Sequence, residues 1–345
     1  MNPKILLIII LSFLITSCSD VEHINEKNIH EHVKKLSSDE FEGREPGTLG
    51  GELTKEYIKK SFESSGLDPV KDDFLLEVPL SKMEVDLDES FLKFNQDKKE
   101  SILVPGSETV FWSKRVKEEI EIKESDVLFI GYGIVSPEYN WNDYEGIDVR
   151  GKTLIALIND PGFKTQDPNL FNGNAMTYYG RWVYRFEEAA RQGAEALIII
   201  HETAPASYPW KVVQNSWSGK QIDLKRPNLG MDRIKVEGWI TNEVAEKLFN
   251  DAGLSLEQLK EDALTRNFRP IPLKGLKMSA KLSNKLSFSV SHNVGGIKVG
   301  SKSPDEYILM MAHWDHLGKR ESHSHGNDQI YNGAVDNATG VAGIL

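Results

Sequence analysis

The chain has 345 residues, of which 27% are charged and 39% hydrophobic, and its formal net charge is −11. That length suggests about two domains, and the composition is typical of a globular protein rather than a disordered or collagen-like one. The acidic balance, with no cluster of lysine and arginine, argues against binding to nucleic acid. Cys18 is the one cysteine, so no internal disulfide supports the fold and a hydrophobic core must do so.

The first twenty residues have the layout of a secretory signal. Lys4 precedes an apolar run over 5–15, which is too short to cross a membrane, and the small residues Thr16 and Ser17 follow it. The sequence Ile-Thr-Ser-Cys at 15–18 resembles a bacterial lipobox, which implies that Cys18 is lipidated and becomes the new N-terminus. We therefore expect a lipid-anchored protein of the bacterial cell envelope, on its periplasmic or extracellular face. The alternative is a plain signal peptide, or a buried N-terminal helix, with an incidental thiol.

Two amphipathic helices are predicted next, on either side of a Gly-rich loop at 42–51. Asn25 is the predicted N-cap of the first helix, and Gly66 is the predicted stop of the second. The apolar residues that recur at helical spacing are Ile29, Val33 and Leu36 in the first helix, and Leu49, Leu53, Tyr57 and Phe62 in the second.

The rest of the chain mixes strand patterns with one further helix. Short apolar or alternating runs predict strands at 74–80, 118–122, 126–130, 153–158, 285–290, 295–300 and 307–312. A helix from Tyr184, a break at Gly193 and a buried strand ending at Ile200 are predicted between them. This mixture favours an α/β catalytic domain interrupted by a β-rich insert.

Several sequence patterns point away from other functions. The run GYGIVS at 131–136 lacks the third glycine and the following helix of a dinucleotide-binding loop, and the chain has no HExxH, GxSxG or P-loop motif. His201 closes an apolar strand, so a core or strand-end role is expected. His23, His30 and His32 are expected to be solvated.

The apolar run at 308–312 stops at the sequence His-Trp-Asp-His, residues 313–316. Ligands bind beyond the carboxyl ends of parallel strands, so His313 is placed where an α/β site is expected. In an extended conformation Asp315 lies on the same side as His313, and its carboxylate can orient the ring. Asp336 follows among small residues that permit a tight turn into a helix. These residues alone fit two interpretations. One is half of a zinc site, and the other is a strand end followed by an Asp that caps the last helix.

The motifs AHWDHLG at 312–318 and YNGAVDNATG at 331–340, in this order and at this separation, closely resemble metallopeptidase family 28. This family contains two-zinc aminopeptidases and their carboxypeptidase relatives. The resemblance implies that His313 binds one zinc, that Asp336 bridges both, and that Asp315 orients His313. It also implies a cis peptide bond after Asp336. His316, His323 and His325 are expected to be exposed in a polar loop.

The resemblance extends upstream. The segment EGREPGTLGG at 42–51 is similar to the N-terminal part of these enzymes, and the block at 131–202 looks like a protease-associated domain. The implied fold is α/β, a mixed-sheet zinc-peptidase catalytic domain that is incomplete and is interrupted by this β-rich domain. The expected divisions are a lipoprotein signal peptide at 1–17, the N-terminal part of the peptidase domain at 18–120, the insert at 121–265, and the first part of the zinc core at 266–345.

The resemblance implies a zinc-dependent exopeptidase, most specifically an aminopeptidase that removes N-terminal residues from peptides. In the family the general base and three further ligands follow the bridging aspartate, whereas nine residues follow Asp336 here. We therefore expect a truncated chain with little activity of its own. The alternatives are a non-catalytic binding or receptor-like protein on the same scaffold, and a related cyclase or another amide-processing enzyme. The sequence does not predict an oligomeric state.

Overall fold

The computed structural model describes residues 24–96, 99–319 and 328–345. Within these ranges the α-helices are α1 (Glu26–Leu36), α2 (Leu49–Ser64), α3 (Pro161–Thr165), α4 (Trp182–Arg191), α5 (Thr203–Ala206), α6 (Trp210–Trp217), α7 (Asn242–Asp251), α8 (Leu256–Asp262) and α9 (Thr339–Ala342). Short 3-10 helices cover Asp39–Arg44, Pro137–Tyr139 and Tyr178–Gly180, and a π-helical turn covers Ala334–Ala338.

The strands in the same ranges are β1 (Asp68–Pro69), β2 (Leu75–Val85), β3 (Phe91–Gln96), β4 (Lys99–Ile102), β5 (Thr109–Trp112), β6 (Glu119–Phe129), β7 (Val135–Ser136), β8 (Trp141–Asn142), β9 (Thr153–Leu157), β10 (Ala196–His201), β11 (Lys220–Leu224), β12 (Val236–Thr241), β13 (Ile271–Val294) and β14 (Gly296–Ile297). The chain divides into two compact units. Unit 1 comprises the described residues up to Val78 and those from Val290 onward, and unit 2 comprises Pro79–Ser289.

Unit 2 is organised around a mixed sheet. Its strand order is β11-β2-β13-β6-β9-β10-β12-β5, and β3 pairs with both β13 and β4. The strands β6, β9, β10 and β12 run parallel to their neighbours within that group, whereas β5 pairs antiparallel with β12. The class is therefore α/β with a mixed sheet, as the sequence predicts.

The central strand β10 explains why its sequence is apolar without alternation. Leu197 and Ile199 pack into one hydrophobic cluster, and Ile198 and Ile200 pack into another. Successive side chains of a strand point to opposite faces, so both faces of this part of the sheet are covered. A continuous apolar run is the pattern that such a strand requires.

Unit 1 is built from α1, α2, the two-stranded pair β1 and β14, and the C-terminal turn with α9. Asn25 caps α1, because its side chain accepts a hydrogen bond of 2.8 Å from the backbone N–H of Asn28. Both predicted helices are confirmed, and Gly66 follows α2 with a φ of +67°. The core of unit 1 consists of Leu36, Phe41, Ile58, Phe62, Phe74, Ala338 and Val341.

One predicted strand is wrong. Residues 307–312 form no strand, and Ile308 is 96% exposed. A strand needs a neighbour that takes its backbone hydrogen bonds, and none of the described strands pairs with this segment. The expectation that His313 follows a buried parallel strand therefore does not hold for the described residues.

The predicted strands at 74–80, 118–122, 126–130 and 153–158 fall within or largely within β2, β6 and β9, and the run at 285–290 lies in β13. Of the strand predicted at 295–300, only Gly296–Ile297 form a strand, β14. Unit 2 is wider than the insert predicted at 121–265, because β5 pairs with β12, and β3 pairs with β13. The identification of that insert as a protease-associated domain stays a prediction.

Among the described helices, none has the length and apolar character needed to cross a membrane.

Candidate metal centre

The candidate site lies in unit 1, where residues 313–316 meet the turn at 333–338. Within 312–315, which is neither helix nor strand, alternate side chains contact the core. Ala312 and Trp314 pack against the core of unit 1, and the indole Nε1 of Trp314 donates a hydrogen bond of 3.1 Å to the backbone carbonyl of His292. His313 and Asp315 are consequently directed away from the core.

His313 and Asp336 face each other directly. The Nε2 atom of His313 lies 3.1 Å from Oδ1 of Asp336, and the two side chains are 53% and 69% exposed. The sequence predicts both residues for one site, and the structure brings them together. Their roles as zinc ligands stay predictions.

The tautomer of His313 follows from its second ring nitrogen. Nδ1 lies 3.1 Å from the backbone carbonyl oxygen of Asp315, which only accepts hydrogen bonds, so Nδ1 carries the proton. The Asp315 carboxylate is 3.6 Å from Nδ1, beyond hydrogen-bonding distance. The residue therefore contacts His313 through its main chain, and the predicted orienting role of its carboxylate stays a prediction.

The neutral form of His313 presents the lone pair of Nε2 to a carboxylate oxygen. Two acceptor atoms at 3.1 Å repel unless a cation lies between them, either a proton or a metal ion. Imidazole and carboxylate are both zinc ligands, and two ligands of one zinc ion lie roughly 3–3.5 Å apart, given metal–ligand bonds of about 2.0–2.2 Å. His313 and Asp336 thus fit a metal as a pair. The described residues form no group of three or more such side chains.

His316 is a second imidazole near Asp336, whereas the sequence predicts it in an exposed loop. Its side chain is 16% exposed, and Nδ1 lies 3.9 Å from Oδ2 of Asp336. Burial lowers the pKa of His316, while the negative charge of Asp336 opposes this shift. The expectation of an exposed His316 is wrong, and the position of this residue depends on the turn at 333–338.

That turn presents Asp336 through an unusual backbone. The Asp336–Asn337 peptide bond is cis, which confirms the prediction. Gly333 has a φ of +58°, and a Cβ added there would lie 2.4 Å from the carbonyl oxygen of Asp336. The side chain of Asn337 accepts a hydrogen bond of 3.1 Å from the N–H of Gly340. Glycine is therefore required at 333 both by φ and by space.

Arg44 is the residue that the sequence analysis missed. It is 1% exposed, and its guanidinium donates hydrogen bonds to the carbonyls of Trp314, Asn332 and Gly333 at 2.6–2.9 Å. The motif EGREPGTLGG contains Arg44 and is the only signal for it. Nothing in a single sequence distinguishes an arginine that donates to distant carbonyls from one on a loop surface.

The other histidines and Cys18 lie elsewhere. His201 is buried at the end of β10, with Nε2 3.0 Å from the carbonyl of Tyr208, which confirms a structural role. His30 is exposed as expected, whereas His32 is partly buried with Nδ1 2.7 Å from the Tyr57 hydroxyl. The predictions for Cys18, His23, His323 and His325 lie outside the described residues.

The facing imidazole and carboxylate of unit 1 define a candidate metal-binding site. Residues 293–345 match the family model described as Peptidase family M28. The matched segment contains His313, Asp315 and Asp336. No curated protein matches the chain.

Two solved structures are similar to the chain. The aminopeptidase from Aneurinibacillus sp. strain AM-1 is 16% identical with a TM-score of 0.41, and the match covers 92% of this chain and 57% of that one. BSAP, a zinc aminopeptidase from Bacillus subtilis, is 16% identical with a TM-score of 0.35, and the match covers 92% of this chain and 55% of that one. The chain thus spans little more than half the length of either protein.

Proposed function

We propose that the chain carries part of a zinc-dependent exopeptidase of the aminopeptidase type, with peptides as substrates. The observation that carries the proposal is the 3.1 Å approach of His313 Nε2 to Asp336 Oδ1 inside the segment that matches peptidase family M28. The names of the two similar structures agree with this activity but add no weight at their low similarity. The number of ions, two in the complete enzyme, is part of the proposal.

His313 and Asp336 are the residues proposed to hold zinc. When bound, zinc lowers the pKa of a coordinated water and polarises the scissile carbonyl. The Nδ1–H bond from His313 to the Asp315 carbonyl fixes the ring and leaves Nε2 free to coordinate. The carboxylate of Asp336 directs Oδ1 toward His313 and Oδ2 toward His316.

We expect the 345-residue chain to be a poor catalyst. The described residues supply the facing pair His313 and Asp336 but no group of three ligands, and catalytic zinc sites use three protein ligands. The same observation favours a second candidate function, a non-catalytic binding or receptor-like protein on this scaffold. Zinc content separates the two functions.

The test measures bound zinc by elemental analysis and the release of N-terminal residues from a short peptide by mass spectrometry. We expect zinc in the wild-type chain and its loss in His313→Ala and in Asp336→Asn. His30→Ala is the matched control, because this exposed histidine of α1 lies outside the site. Any slow cleavage is expected to stop when the peptide's amino terminus is acetylated.

Three results contradict the proposal. Equal zinc in all four proteins places the metal elsewhere, and no zinc in the wild type favours the non-catalytic binding protein. Cleavage of the acetylated peptide at the same rate contradicts an aminopeptidase.

We further propose that lipid on Cys18 anchors the protein at the bacterial cell envelope, on its periplasmic or extracellular face, because the sequence at 15–18 resembles a lipobox.

A further inference from the structure

Arg44 connects the two segments that carry the candidate ligands. Its Nε donates to the carbonyl of Trp314 at 2.9 Å, which lies between His313 and Asp315 in sequence. Its Nη2 donates to the carbonyl of Gly333 at 2.8 Å, three residues before Asp336. One rigid, planar group therefore touches the backbone on both sides of the site.

Two further hydrogen bonds fix the guanidinium itself. Nη1 donates to the carbonyl of Leu36, the last residue of α1, and to the carbonyl of Asn332, each at 2.6 Å. Hydrogen bonds from a charged donor are stronger than neutral ones, and a buried charge is costly unless it is bonded. Burial lowers the pKa of Arg44, and the charges of Asp315 and Asp336 oppose that shift.

The backbone around Arg44 reinforces the same contact. Its carbonyl accepts a hydrogen bond from His316 N–H at 3.3 Å, and the Gly43 carbonyl accepts one from Gly318 N–H at 3.0 Å. A Cβ on Gly43 would lie 2.3 Å from the Gly318 carbonyl oxygen, so the two segments approach as closely as glycine allows. The arginine is thus held from its backbone as well as from its side chain.

We propose that Arg44 is a positioning residue that sets the separation of His313 and Asp336, an inference that rests on the proposed zinc site. Lysine keeps the charge but has a single nitrogen, which cannot reach the Trp314, Leu36 and Gly333 carbonyls in their different directions. Removing partners that orient metal ligands typically weakens metal binding about 10- to 100-fold.

The experiment compares Arg44→Lys and Arg44→Gln with Arg185→Lys in the full chain. Arg185 is the matched control, because it is also fully buried and also donates to backbone carbonyls, among them those of Leu157 and Tyr179, but lies in unit 2. Zinc affinity is measured by competition with a chromophoric chelator after circular dichroism has confirmed folding. We expect about 10- to 100-fold weaker zinc binding for both Arg44 variants and a change within about twofold for Arg185→Lys.

Zinc affinity within about twofold of wild type in a folded Arg44 variant overturns the proposal. If neither Arg44 variant folds while Arg185→Lys does, Arg44 is a residue of the fold and the positioning role is rejected. A wild-type chain without zinc contradicts the proposed function instead. In that case the NMR signal of the His313 ring tests the positioning role of Arg44. A shift of this signal in Arg44→Lys but not in Arg185→Lys supports the proposal, and an unshifted signal in Arg44→Lys rejects it.

Discussion

The backbone carbonyl of Asp315 determines which ring nitrogen of His313 is available to coordinate a metal. Because the Asp315 carbonyl accepts the Nδ1 proton, Nε2 is the nitrogen that faces Asp336. The Nδ1 hydrogen bond uses the main chain of Asp315 and not its carboxylate, which lies 3.6 Å from Nδ1. Substituting Asp315 therefore leaves this hydrogen bond in place, provided that the backbone keeps its path.

Gly333 permits a direct test of how tightly the turn is packed. We expect Gly333→Ala to lower the free energy of unfolding by at least about 2 kcal/mol more than Gly66→Ala does, because an added Cβ meets the Asp336 carbonyl oxygen. Both glycines have a positive φ, but a Cβ on Gly66 would have no neighbour within 4 Å. The stability lost in Gly66→Ala therefore reports the cost of the positive φ alone, about 1 kcal/mol. Denaturant unfolding measures both values, and equal losses would show that the turn yields without cost.

At this scale the sequence predicts part of the site. His313, Asp315 and Asp336 are recognisable because they lie in two short motifs with a known separation. Arg44 and His316 are not, because their roles depend on burial and on carbonyls far away in sequence. Burial of a charged side chain is a property of the assembled fold.

Among the elements, β12, which lies between β10 and β5 in the sheet, carries a buried carboxylate. Glu237 is 0% exposed, and its Oε2 accepts a hydrogen bond of 3.1 Å from Trp112 Nε1. Its Oε1 has no hydrogen-bond partner among the described residues, and Arg233 Nε is 4.0 Å away. Burial raises the pKa of Glu237 to about 7, although the positive charges of Lys114 and Arg233 oppose the shift.

The raised pKa makes the stability of the folded chain depend on pH. Between the ordinary glutamate pKa of 4.5 and about 7 the folded state binds more protons than the unfolded state, so stability falls as pH rises through this window. We expect Glu237→Gln to remove this loss, so that its free energy of unfolding exceeds that of wild type by an amount that grows from pH 4.5 to about pH 7 and is constant above it. The slope is about 1.4 kcal/mol per pH unit at most.

Denaturant unfolding at several pH values tests the role of Glu237. Glu119→Gln, an exposed change on β6, controls for the loss of a negative charge. A wild-type and a Glu237→Gln protein with parallel pH profiles would show that the carboxylate is not the source of the dependence.

Strand prediction succeeds where the neighbours of a strand lie nearby and fails where they do not. The runs that form β9 and β10 are apolar because each is paired on both edges and covered on both faces. The run at 307–312 is similarly apolar, but no described strand pairs with it. Composition encodes the preference for burial, whereas pairing depends on the partner.

For the whole molecule, attachment to a membrane is the property that the sequence predicts and the described residues leave open. We expect Cys18→Ala to move the protein from the membrane fraction to the soluble fraction after a salt wash, because the thiol is the proposed site of lipidation. Ser19→Ala keeps the cysteine and is the control. A Cys18→Ala protein that stays in the membrane fraction would reject the lipid anchor.

The hydrogen bonds of Arg44 also set an order of events during synthesis. Trp314 follows Arg44 by 270 residues, and Gly333 follows it by 289. At about 5–20 residues per second, a ribosome takes roughly 15–60 s to cover that distance. Through this interval Arg44 lacks three of its partners, the carbonyls of Trp314, Asn332 and Gly333, while unit 2 is synthesised in full. The candidate metal centre therefore cannot assemble until the polypeptide has passed residue 336, well after the ribosome has completed the sheet.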